Sequence, residues 1–200
     1  MKILVIGDTH GKLKMVRDIW TKLTGIDLII HTGDYYTDAQ KLQDEMHVPV
    51  VYVKGNCDGS RCSTYCSPEG GDFAIVETEC GNILVTHGHM ENVKYSYDNL
   101  VYKALENDCM AVVFGHTHRA VIDEVTTPAG SPHGTVRLVN PGSLTLPRDG
   151  SGGTYAIIRT DEESFNAAVV YYTTIMGGGG NKKSGRTGYI SSLLNYSDRF

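Results

Sequence analysis

Seven side chains carry the chemistry this sequence advertises: Asp8 and His10, then Asp34, Asn56, His87, and finally His116 and His118. Each follows a short apolar run and most sit beside glycine, as in Gly7-Asp8-Thr9-His10, Gly33-Asp34, Gly55-Asn56 and Gly115-His116-Thr117-His118. Taken alone, Asp8-x-His10 reads as a helix cap; four histidines and three Asp/Asn residues in the same setting do not. Oxygen and imidazole donors without a thiolate suit manganese, iron, nickel, cobalt or zinc rather than a structural cysteine-rich zinc. Seven donors exceed one tetrahedral shell and suit two ions that share a carboxylate and keep positions for water.

The elements that must position these groups are legible from the apolar pattern. Residues 2–6, four of the five aliphatic, form a run with no alternation, the mark of a strand covered on both faces. Apolar spacing predicts a helix over 12–23, with Leu13, Val16, Ile19, Trp20 and Leu23 on one face. Strands follow at 28–30 and 50–53 with a short helix at 38–46 between them, giving a βαβαβ order and a parallel sheet. In such a sheet ligands gather at the carboxyl ends of strands, so all five donor loops are expected along one edge. A hairpin is expected over 73–78 and 82–85, a helix over 97–105 and a buried strand over 111–114. Strands at 121–126, 135–139, 154–159 and 167–173, separated by turn residues, predict a mainly antiparallel second sheet packed on the first. Residues 60–72 read as an irregular loop beside the site.

Composition narrows the class. At 40% apolar and 20% charged residues, the 200-residue chain fits an ordinary globular domain, and no apolar run is long enough to cross a bilayer. The stretch after Met1-Lys2 is too short for a signal peptide. Five cysteines without a C-x-x-C pair predict reduced thiols and a cytoplasmic protein. Cys57, Cys62 and Cys66 lack partners for a second metal site and read as free loop thiols. A net charge of −5 gives no footprint for a nucleic-acid backbone, although bound cations would supply positive charge that the count misses. A P-loop is excluded: Gly7 and Gly11 stand too close together, no Ser or Thr follows Lys12, and Asp8 would repel a phosphate. His31, His47 and His133 read as ordinary surface or satisfied histidines. The domain is expected to span 1–175. A glycine-led tail, 176–200, follows with a basic patch at Lys182, Lys183 and Arg186 and a short helix or docking peptide at 190–196.

These motifs, with Thr86-His87-Gly88-His89 and the later turn Asn140-Pro141-Gly142-Ser143, resemble the calcineurin-like metallophosphoesterases, and within them the small YfcE-type phosphodiesterases. The resemblance covers residues 1 to about 175 and has the motifs in the family's order. It implies a four-layer α/β/β/α sandwich of two mixed sheets. By position it makes Asp8, His10 and His118 ligands of one ion, Asn56, His87 and His116 ligands of a second, and Asp34 the bridge. It implies hydrolysis by a metal-bridging hydroxide between two divalent ions about 3.5–4 Å apart, with manganese the first choice and Ni, Fe, Co or Zn also suited. It implies, too, that Asp34, Asn56 and His116 act catalytically through that centre. Asp58 is a candidate to orient a histidine ligand, and His89 to touch substrate.

Many relatives carry His where this chain has Cys57. A thiol adds no positive charge at neutral pH. Two divalent ions, less the charges of Asp8, Asp34 and a bridging hydroxide, leave a net of about +1, which matches a diester better than a monoester. A small or nucleotide phosphodiester is the expected substrate. The alternatives are a phosphomonoesterase, or a non-catalytic interaction subunit on the same fold. A nuclease is disfavoured, since no basic surface or capping domain is present. Exposed strand edges and the tail are compatible with a homodimer.

Overall fold

The computed structural model describes residues 1–58 and 72–177. Most of the expected loop at 60–72, with Cys62 and Cys66, and the tail from 178 on therefore lie outside the described residues. The fold begins with β1 (Lys2–Ile6), α1 (Lys14–Trp20), β2 (Leu28–His31), α2 (Tyr36–Met46) and β3 (Val50–Tyr52). β1 pairs in parallel with β2, and β2 with β3, as the βαβαβ order requires. The second part holds β4 (Phe73–Thr78), β5 (Gly81–Thr86), α3 (Asp98–Glu106), β6 (Cys109–Val113), β7 (Ala120–Thr126) and β8 (Thr135–Pro141). β9 (Thr154–Thr160), β10 (Phe165–Tyr171) and α4 (Tyr172–Ile175) complete it.

Strand pairing corrects one expectation. The strands after residue 121 do not make an antiparallel sheet of their own. β9 returns to lie antiparallel beside β1, with Leu4 opposite Ile157, and β10 pairs with β9. The two sheets run β10-β9-β1-β2-β3 and β4-β5-β6-β8-β7, each mixed. The physical reason is that β1 is buried along its whole length and needs a hydrogen-bonding neighbour on both sides. β2 supplies one and β9 the other.

Alternation along β1 sets the layers. Ile3 and Val5 join Ile30, Ile83, Val85, Val113 and Ile158 between the sheets. Leu4 and Ile6 point the other way, against Val16, Ile19 and Leu42 of α1 and α2. On the far side, Leu84, Val112 and Leu138 pack on Leu100, Val101 and Ala104 of α3. The order is therefore helices, sheet, sheet, helix: the four-layer α/β/β/α sandwich. Each fully buried aliphatic side chain in these seams contributes about 1.5–3 kcal/mol. α1 is shorter than its apolar pattern, because residues 8–13 are held in the site loop before the helix starts. No helix among the described residues is long and apolar enough to cross a membrane.

Candidate metal centre

The donor loops leave β1, β2 and β3 of the first sheet and β5 and β6 of the second. They do not lie along one sheet edge, as the sequence pattern suggests, but along the facing edges of two. Bonds across the seam hold them: the His116 N–H donates to Asp8 Oδ2 at 3.1 Å, and His87 Nδ1 donates to the Thr32 carbonyl at 2.8 Å. Two glycines are required by closeness. A Cβ at Gly55 would lie 2.1 Å from Asp34 Oδ1, and one at Gly115 would lie 2.9 Å from Asp8 Oδ2 and 2.5 Å from Thr32 Oγ1. Only bare backbone lets these loops approach.

Five of the seven candidate ligands sit in the left-handed region: Asp8 (φ 50°), His10 (48°), Asp34 (55°), His116 (68°) and His118 (56°). Such a conformation costs a non-glycine residue of the order of 1–2 kcal/mol, and concentrations of it mark functional sites. The strain is held by buried hydrogen bonds. Fully buried Asp38 accepts the Thr9 hydroxyl and the Gly11 N–H, each at 2.8 Å, and Thr9 also meets His31 Nε2 at 3.1 Å. From the other side, the Ser143 hydroxyl donates to the Asp8 carbonyl at 3.0 Å, and that of Thr145 donates to the carbonyls of Asp8 and Thr9. Asn140 Nδ2 donates to the Gly115 carbonyl at 2.8 Å. The turn at 140–143 thus clamps the Asp8 and Gly115 loops together.

Asp8, His10, Asp34 and His118 present one ligand atom each, all within 4.8 Å of one another. His10 Nε2 and His118 Nε2 stand 3.4 Å apart, and Asp8 Oδ1 is 3.4 Å from His118 Nε2. Beside them, His87 Nε2 lies 3.1 Å from Asn56 Oδ1 and 3.5 Å from Asp34 Oδ1, while the His87 and His116 rings are 5.1 Å apart. Asp34 faces both groups, with Oδ2 3.6 Å from His10 and Oδ1 toward His87. The structure thus brings all seven residues to one centre.

The donor chemistry fits cations. His87 and His118 each give their Nδ1 hydrogen to a carbonyl, Thr32 and Leu146 respectively. In the neutral rings Nε2 is then a bare lone pair facing other acceptors, an arrangement relieved by a metal ion or an extra proton. Asp8 is fully buried, and its Oδ1 has no hydrogen-bond donor among the described residues. A buried carboxylate oxygen in that position is suited to a cation.

Proton affinities agree. Burial first, then His87 and Lys94, hold His116 down to about 4, so it is neutral at pH 7. His118 moves up, mainly through the Asp8 carboxylate. For Asp34 burial favours the neutral acid, but His87, the Cys57 N–H and thiol, and His10 together keep it below the ordinary carboxylate range. Crowding and then Asp34 push the exposed Cys57 thiol up to about 11. Its N–H donates to Asp34 Oδ1 at 2.9 Å, so Cys57 holds the carboxylate through its backbone.

Asp58 differs from expectation. Its carboxylate accepts the N–H groups of Gly55, Tyr35 and Tyr36 at 2.8, 2.6 and 3.0 Å, and so ties the Asn56 loop to the start of α2. The histidines are oriented by Thr32 and Leu146 instead. His89 lies beside the second group, its ring 5.2 Å from that of His87, with Nδ1 buried and unpartnered among the described residues. His31 is the satisfied buried histidine expected of it. Sequence reasoning missed Asp38 and Thr145; Thr9 and Asp38 are ordinary helix-start residues by type, and nothing in the pattern marks them as bonded.

Comparison with known proteins identifies the family. The calcineurin-like phosphoesterase superfamily domain matches residues 1–163. The probable metallophosphoesterase YsnB of Bacillus subtilis is 31% identical over 168 residues, covering 82% of this chain and 87% of its own. Phosphodiesterase YfcE of Escherichia coli K12 is 26% identical over 181 residues, covering 80% and 89%. In fold, the chain is similar to zinc-complexed Vps29 of Entamoeba histolytica, at a TM-score of 0.62 and 18% identity over 86% of this chain and 99% of that one. The chain therefore belongs to the calcineurin-like phosphoesterase superfamily.

Proposed function

We propose that this chain is a binuclear metal-dependent phosphodiesterase acting on small or nucleotide phosphodiesters. The observation that carries the reading is Asp34, whose two oxygens face separate groups of nitrogen and oxygen donors. Asp8, His10 and His118 would hold one divalent ion and Asn56, His87 and His116 the other, manganese being the first candidate. Two such ions supply a water made nucleophilic at neutral pH and charge to hold the phosphoryl oxygens. The chain's own part is to keep His116 neutral, to fix His87 and His118 by their carbonyl partners, and to hold Asp34 ionised through the Cys57 N–H.

Substrate charge follows from position 57. Cys57 is a neutral thiol and leaves the centre about one positive charge, enough for a diester's single negative charge. The chain with manganese is expected to hydrolyse bis(p-nitrophenyl) phosphate faster than p-nitrophenyl phosphate. The reverse order would overturn the diesterase assignment. The similarity to Vps29 leaves a non-catalytic subunit as the second reading; it is supported by fold alone, whereas all seven donors are kept here. Full metal loading without hydrolysis of any diester would favour it.

A further inference from the structure

A groove opens beside the loop that carries His116 and His118, and its charge runs against that of the chain. Lys94, Arg119 and Arg148 line it together with Val93, Tyr97 and Val121. Thr117, between the ligands His116 and His118, lines it too. The Arg148 N–H donates to the His118 carbonyl at 2.9 Å, and Lys94 bears electrostatically on His116. Among the described residues none of the three cationic side chains pairs with a carboxylate; Asp123 lies near Tyr97 but accepts from the Glu124 N–H. Among the described residues, three cations without a carboxylate partner, lining one groove in a chain of net charge −5, make a local anion-binding surface beside the loop that carries His116 and His118.

We infer that the groove receives a second phosphate of the substrate, so that the preferred phosphodiester carries a further phosphate on one of its two alcohol groups, with that group's ring or chain over Tyr97. The inference rests on the phosphodiesterase reading and narrows it. A lysine and two arginines recognise a phosphate dianion by charge-assisted bonds, and the centre itself carries too little charge for two phosphates.

The test is calorimetric titration of the manganese-loaded chain with thymidine 3′,5′-bisphosphate and with thymidine 5′-monophosphate. The bisphosphate is expected to bind at least about tenfold more tightly, and the variant Lys94→Gln/Arg119→Gln/Arg148→Gln to bind the two within about twofold of each other. Equal binding by the wild type, or an undiminished preference in the triple variant, overturns the inference. Should the triple variant fail a circular-dichroism check of folding, Arg119→Glu alone decides, with an expected fall in preference of about fivefold; an unchanged preference overturns the inference. Hydrolysis of bis(p-nitrophenyl) phosphate separates the two claims. No hydrolysis with the preference intact removes the phosphodiesterase reading and leaves the groove; hydrolysis without the preference removes the groove alone.

Discussion

Gly55→Ala is expected to disable the centre without replacing a candidate ligand. A Cβ there would stand 2.1 Å from Asp34 Oδ1 and 2.3 Å from the Asp34 nitrogen, short of an ordinary 3.4 Å contact by about 1.3 Å. The backbone nitrogen cannot swing aside as a side chain would, so the Asp34 loop or the Asn56 loop must move by roughly that distance. Overpacking of this kind costs about 1–3 kcal/mol, which for a domain of this size lowers Tm by about 2–12 °C. A 1 Å misplacement of a group that positions the reaction costs about 10²-fold in rate. The assay compares hydrolysis of bis(p-nitrophenyl) phosphate and thermal melts for wild type, Gly55→Ala and a control, Gly134→Ala, where a Cβ meets open space on ordinary backbone. Activity within about twofold of wild type, with a melt matching the control, would refute the close approach of the two loops and the dependence of the centre on it.

Three further outcomes are expected. Buried His31 is held down to about 4 by burial, so the unfolded chain takes up its proton near pH 6.5 and the folded chain only near 4; stability is whole above that window and falls as pH drops through it. In chelator-treated protein, urea melts should show about 2 kcal/mol of His31-dependent loss between about pH 7.5 and 5, absent in His31→Gln; an equal slope in both would contradict it. Asp38→Ala removes the acceptor of the Thr9 hydroxyl and Gly11 N–H and should cost about 2–4 kcal/mol and most of the activity, read by melts and turnover. Cys57→His should raise p-nitrophenyl phosphate turnover relative to the diester on the order of tenfold, by adding a group able to carry positive charge; an unchanged ratio would dissociate position 57 from substrate charge.

The site was more legible in the sequence than the sheets that build it. Ligand types are unusual and keep their chemistry wherever the chain goes, so Asp8, Asp34 and His118 announce themselves across a hundred positions. Strand existence was also local: aliphatic runs such as Leu28–His31 and Cys109–Val113 need no partner to be recognised. Pairing is not local. Nothing in Thr154–Thr160 says that its neighbour is β1 rather than β8, and only the two-sided burial of β1 decides it. For the same reason the donors were expected on one sheet edge when they come from two. Left-handed backbone at Asp8, His10 and His116 is likewise a product of tertiary clamps, Asp38 and the 140–146 turn, which composition does not reveal. Asp58 had the right type for orienting a histidine but was claimed first by three backbone donors within reach.

On the proposed binuclear reading, Asp34 links two metal sites. Manganese titration followed by electron paramagnetic resonance tests it directly, because two ions sharing a carboxylate are magnetically coupled. A spin-coupled pair is expected at two equivalents in the wild type, lost in Asp34→Asn. Saturation at a single equivalent, or two uncoupled ions whose spectrum ignores Asp34→Asn, would contradict it.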